Sequence, residues 1–112
     1  LVGVTSSTFV QASASLPPDP VVKALHQAFI DKEVLDICYQ REDLMVTERR
    51  IEPHYLLLKY PVWYVIAFDH LRGEPRTLRC DRIREARLTG ARFTLRPKSQ
   101  FEHIWTEGGL LA

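Results

Sequence analysis

Three arginines spaced three residues apart, Arg76, Arg79 and Arg82, follow closely on an aromatic, β-branched run, Val62-Trp63-Tyr64-Val65-Ile66-Ala67-Phe68-Asp69. A guanidinium presents a planar fork of donors that grips phosphate oxygens two at a time, and it stacks on rings. Aromatic surface beside such forks suits a flat anionic ligand, a nucleotide or a single strand of nucleic acid. Each stacked base is worth about 1–3 kcal/mol. Tyr64, Arg79 and Arg82, with His54 from the preceding segment, are the residues that would hold phosphate and base. Arg76 and Arg50 extend the same positive surface.

The net charge of +1 conceals an asymmetry. Residues 21–48 hold three basic and six acidic residues, whereas residues 72–96 hold eight arginines against Glu74, Asp81 and Glu85. Every base in that second window is Arg, though Lys would serve solubility equally well. Each candidate also has a plainer reading, and the sequence leaves both open. Trp63 fits a core position better than a ligand platform. The Tyr64 hydroxyl needs a partner in either case. His54 follows a proline at a bend, where a local backbone hydrogen bond serves as well as a ligand. Arg79 and Asp81 lie two apart on one strand face and make an ordinary surface ion pair, worth about 0–1 kcal/mol. Arg49-Arg50 reads as a solvated edge that discourages aggregation.

Enzyme chemistry finds little footing. The chain has no Gly-rich phosphate loop and no Gly-x-Ser-x-Gly elbow. His26, His54, His70 and His103 are scattered, with none at the i, i+4 spacing of a metal helix. Nothing calls for a cofactor. Cys38 and Cys80 sit in apolar strand patterns without a CxxC partner, which reads as buried thiols in a reducing, cytoplasmic compartment. No apolar run approaches membrane-spanning length.

The elements that must position these residues follow from periodicity. At 112 residues the chain supports one domain with a modest core. Residues 1–19 form a Ser/Thr/Ala-rich segment, with a candidate strand at Thr8–Gln11, ending in the stiff Leu16-Pro17-Pro18-Asp19-Pro20. Asp19 is placed to N-cap a helix with Pro20 in its first position. Val22, Leu25, Ala28 and Phe29 then give an apolar face over residues 20–32. From Glu33 the period drops to two. Strands are expected at Val34–Tyr39, Met45–Ile51, Tyr55–Lys59, Val62–Asp69, Arg76–Asp81, Ile83–Thr89 and Arg92–Leu95, with Pro53 marking a bend or edge. Such short strands between closely spaced turns make a small twisted barrel. Alternation places Trp63, Val65 and Ala67 on one face and Tyr64, Ile66 and Phe68 on the other. With Leu78 and Cys80 inward, Arg79 faces away from the core. Phe101, Ile104 and Trp105 after Pro97 predict a short closing helix in a tail of residues 97–112.

A helix, a hairpin, then Ile51-Glu52-Pro53-His54-Tyr55-Leu56, Trp63-Tyr64-Val65 and Leu78-Arg79-Cys80-Asp81-Arg82-Ile83 in that order resemble the WYL domain, over roughly residues 20–96. The family pattern has Leu at the place of Val65, Phe at Leu78 and Leu at Cys80, all apolar exchanges. Lys59-Tyr60-Pro61 stands where the family has a small Gly-containing turn. The resemblance implies a mainly β, α+β fold: a small Sm-like or SH3-like β-barrel preceded by an amphipathic helix. It implies a ligand sensor placed behind an N-terminal helix-turn-helix domain in a bacterial transcription regulator, several relatives responding to single-stranded DNA or another nucleic-acid ligand. The missing initiator Met fits a fragment whose DNA-binding domain lies upstream.

The expectation is therefore a cytoplasmic regulatory domain, not an enzyme, that binds single-stranded DNA, RNA or a nucleotide effector on its arginine face. A bound ligand would shift the attached DNA-binding domain. The competing reading is a protein-interaction or homodimerisation module, in which the apolar helix face and Trp105 dock on a partner.

Overall fold

The computed structural model describes residues 17–107. The segment Thr8–Gln11 and the side chain of Trp105 lie outside the described residues. The elements run α1 (Asp19–Asp31), β1 (Glu33–Gln40), β2 (Val46–Lys59), β3 (Val62–Asp69), β4 (Glu74–Arg79), a 3₁₀ turn (Cys80–Arg82), β5 (Ile83–Arg92), a second 3₁₀ turn (Lys98–Phe101) and α2 (Glu102–Glu107). All strand pairs are antiparallel, in the order β4-β3-β2-β1-β5.

The edge strands β4 and β5 are joined by three residues, so the sheet must curl until its two edges come close. The curl is visible in a bond across the interior. The Arg79 amide on β4 donates to the Tyr39 hydroxyl on β1 at 3.0 Å, although two strands separate them in the sheet. Among the described residues no ladder joins β4 to β5, so the sheet is curled but not closed. The two strands expected on either side of Pro53 are one strand, β2. A bulge between Pro53 and Tyr55 bends it and lets it continue after the proline. This strand lies between β1 and β3 and is not an edge. The expected strand at Arg92–Leu95 is absent: β5 ends at Arg92, and the chain then crosses back toward β2.

Helix α1 buries Val21, Leu25 and Ala28, one stripe at i, i+4, i+7, against Leu35, Ile37, Ile51, Val65, Ala67, Leu78, Cys80 and Ile83 inside the curl. Val22, expected on that stripe, is exposed. The expected Asp19 cap is also displaced. Pro18 occupies the cap position, and its carbonyl accepts the amides of Val21 and Val22 at 2.9 and 3.1 Å. Asp19 instead lies in the first turn, where its charge suits the positive end of the helix. Most of the apolar stripe is covered by the protein's own sheet and does not present a docking face.

A second, smaller core lies on the outer side of β2 and β3. Phe101 and Ile104 cover Ile66 there, flanked by Tyr55 and Leu57. The two faces of β3 are thus both used, Trp63, Val65 and Ala67 inward and Ile66 outward, as alternation requires.

Candidate functional site

Three turns of the sheet each carry an arginine to one place. Arg41 begins the β1–β2 turn, Arg72 lies in the β3–β4 turn, and Arg82 ends the 3₁₀ corner between β4 and β5. Together with Arg49 of β2 and Arg76 of β4 they surround an open depression of about 440 Å³. Tyr39, Thr77 and Leu78 line it as well, and Glu42 and Asp43 are the only acids on its wall among the described residues.

The five guanidinium groups differ in freedom. Arg49 has a side chain only 3 % exposed, and it donates to the fully buried Asp69 at 2.7 Å and to the Thr47 hydroxyl at 3.1 Å. Its guanidinium also lies 5.3 Å from the Tyr39 ring centre. It is therefore a fixed wall and not the solvated edge residue expected. Arg41 pairs with Asp43 at 3.1 Å, and Arg76 pairs more loosely with Glu74 at 3.7 Å, both in exposed surroundings. Among the described residues, Arg72 and Arg82 enter no salt bridge. A phosphate would therefore meet two forks that enter no salt bridge and two weakly held ones.

Two turn geometries aim these groups. The Asp69 carboxylate accepts the Leu71 amide at 2.9 Å, and its carbonyl accepts the Gly73 amide at 2.7 Å. Gly73 has φ +69°, a conformation glycine adopts without strain, and this closes the turn that holds Arg72 out. In the β1–β2 turn, Leu44 takes the left-handed conformation (φ 71°), and the Asp43 carboxylate accepts the Met45 amide.

Of the sequence-predicted residues, Arg76 and Arg82 meet in this depression. Tyr64 and Arg79 are directly opposite each other across β3 and β4. Arg79 is held by Asp81 in a two-point fork, 3.0 and 2.8 Å, which raises its pKa and holds the Asp81 carboxyl below the usual range. Its connection to the depression is its backbone amide, which holds the Tyr39 hydroxyl.

Arg50 lies elsewhere, forked onto Asp36 at 2.8 and 3.1 Å beside a second depression of about 660 Å³. That larger hollow sets Arg49, Arg50, Arg84 and Arg87 against Asp36, Glu48 and Glu85, so its wall is closer to neutral than that of the first. Cys38 lines it, its pKa raised by burial and then by Glu85 and Glu48.

His54 does not line either depression. Its Nε2 accepts the Arg96 amide at 3.0 Å, so the proton must sit on Nδ1, which donates to the Glu52 carbonyl at 2.8 Å. Burial pushes its pKa down, and the ring packs against Phe93 and Phe101.

Arg41, Arg72 and Tyr39 were not singled out from sequence, and Arg49 was read there only as an edge charge. One signal was available: in an up-and-down meander alternate turns share an end, which already places Arg41 near Arg72. Among the described residues there is no group of His, Cys, Asp and Glu that could hold a metal ion, and no helix long and apolar enough to cross a membrane.

A family model described as the WYL domain matches residues 20–88. Among solved structures, the chain is similar to proteasome accessory factor B/C (PafBC) of Arthrobacter aurescens. The TM-score is 0.63 at 19% sequence identity, covering 80% of this chain and 16% of that one. At this identity the likeness is one of fold, and the chain spans a small part of that protein's length.

Proposed function

Since the chain belongs to the WYL domain family, we propose that it is the ligand-sensing domain of a bacterial transcriptional regulator, and that its arginine-walled depression takes the phosphate of single-stranded nucleic acid or of a nucleotide. One observation carries the reading. Five arginines from separate segments converge on a hollow of about 440 Å³ that also holds an aromatic ring. Converging cations, of which Arg72 and Arg82 enter no salt bridge among the described residues, cost stability through mutual repulsion, and an anionic ligand relieves it. Arg76 and Arg82 are the direct phosphate contacts, joined by Arg72 and Arg41. Tyr64 and Arg79 extend the surface along β3 and β4 for a longer strand, while His54 and Arg50 support the fold around it.

The curl that brings β4 to β5 supports an Sm-like barrel. Helix α1, entered from the proline segment, is the natural junction to an upstream DNA-binding domain, and the regulator would act in the cytoplasm. A homodimerisation module is the second reading, favoured by Leu56, Leu58 and Tyr60, which are exposed together at the end of β2.

Fluorescence anisotropy of a labelled oligothymidine at low and moderate salt tests the first reading. Binding should weaken with salt, the slope of log K on log salt falling by about 0.7 for each phosphate contact removed. Arg76→Ala with Arg82→Ala should abolish most binding, while Arg79→Ala, whose guanidinium is held by Asp81, should weaken it only a few-fold. No oligothymidine binding at low salt sinks the single-strand reading and turns the search to mononucleotides. Concentration-dependent dimerisation, insensitive to salt and without ligand binding, favours the second reading.

A further inference from the structure

A continuous polar path joins the arginine depression to the C-terminal segment. Arg49 on the wall donates to Asp69, which sets the turn after β3. The next residue, His70, is held at both ends: its amide donates to the Arg50 carbonyl and its Nε2 meets the Glu52 carboxylate, both at 2.8 Å. Glu52 is buried, and its other contacts come from Arg96, at 2.8 Å from Nε and 3.3 Å from Nη2. Arg96 also lies 3.5 Å from the centre of the Phe68 ring, and its amide donates to His54. Immediately beyond Arg96, Phe101 and Ile104 cover Ile66 on the outer face of the sheet. Arg96 is thus the latch of the segment 96–104, and Arg49 is the far end of the path that holds the latch plate.

We propose that an anionic ligand in the depression competes with Asp69 for Arg49 and so loosens the docking of residues 96–104, making this segment the output of the sensor. The inference rests on the ligand reading above for its input. The physical basis is the burial of Asp69. A fully buried carboxylate cannot remain without its partner, so shifting Arg49 toward a phosphate obliges the Asp69 turn to rearrange. That turn carries His70, one of the two side chains gripping Glu52. The two states are a docked and an undocked tail, and the ligand favours the second by the energy with which it recruits Arg49. Coupling between two sites is reciprocal. Undocking the tail by other means must therefore tighten the ligand by the same factor.

Two measurements on the full chain test this. The first uses no ligand. Hydrogen exchange of the amides of residues 98–104 is compared in the wild type, in Arg49→Lys, which keeps the charge but loses the fork, and in Arg50→Lys as a neighbouring control, since the Arg50 side chain lies off the path on Asp36 and only its carbonyl, which the substitution keeps, holds His70. Arg49→Lys is expected to accelerate these amides at least 10-fold while β1 amides change little. Equal acceleration in β1, or no more effect than Arg50→Lys, overturns the path. The second titrates labelled oligothymidine. Arg96→Ala is expected to tighten binding about 5-fold, and oligothymidine to accelerate exchange in residues 98–104 of the wild type. Unchanged affinity in Arg96→Ala overturns the coupling. Absence of any oligothymidine or mononucleotide binding by the wild type overturns the ligand input, while the exchange comparison still judges the path by itself.

Discussion

Single residues in this protein are governed by whether a charge or thiol keeps its water. Arg49 and Asp69 are both buried and hold each other at 2.7 Å. Arg50, its neighbour in sequence, points to the other face and remains exposed. Strand alternation makes that difference, and the types of the two residues do not reveal it. The cysteines show the same control. Burial pushes the Cys80 thiol up to about 12, and burial with Glu85 raises Cys38 more mildly. A thiol reacts as its thiolate. At pH 8 an aromatic disulfide reagent should therefore label Cys38 slowly and Cys80 only after unfolding. Rapid labelling of both in the native protein would contradict the burial of Cys80.

At the scale of elements, the outer face of β2 and β3 depends on the segment after β5. The sequence marks Phe101 and Ile104 as a short apolar pair, and only their docking on Ile66 gives that pair a partner. Phe101 is fully buried, so Phe101→Ala should cost about 3–5 kcal/mol in urea unfolding. His103→Ala, on the exposed side of the same turn, should stay within about 0.5 kcal/mol. Equal effects of the two would mean that the segment does not pack as described. The same reasoning explains why β2 was legible only in pieces. Pro53 breaks the strand pattern in sequence, and the bulge that absorbs it depends on pairing with β3.

For the molecule as a whole, acid should act in two stages. His54 has its pKa lowered from an ordinary 6.5, chiefly by burial. The folded state then binds fewer protons than the unfolded one, and the stabilisation is complete above pH 6.5 and declines below it. Glu52 is pushed up by burial, but hydrogen bonds from Arg96 and His70 outweigh this and hold it below 4.5. Asp36 and Asp81 are held below 3.8, first by hydrogen bonds from Arg50 and Arg79 respectively. Their contributions are present above those ordinary values and lost as pH falls through the folded ones. Urea midpoints should thus be level above pH 7, fall first below about 6.5 and again below about 4.5. His54→Gln should remove the upper fall alone, and its persistence in that variant would assign it to another group.

The sequence by itself determined the helix that fills the curl, the alternation that sends Trp63 in and Tyr64 out, the arginine enrichment of residues 72–96 and the resemblance that family matching bears out. These are properties of local period and ordered motifs, which need no knowledge of distant neighbours. The tertiary structure decided which arginines stand together. Arg50 was drawn to Asp36 and Arg49 to Asp69, beside the Arg79–Asp81 pair that spacing alone already offered, while Arg41, Arg72, Arg76 and Arg82 came to one depression from segments up to 41 residues apart. That gathering follows from the curl of the sheet, set by the short corner between β4 and β5. The meeting of two sheet edges is a property of the whole strand order, which no single stretch of sequence contains.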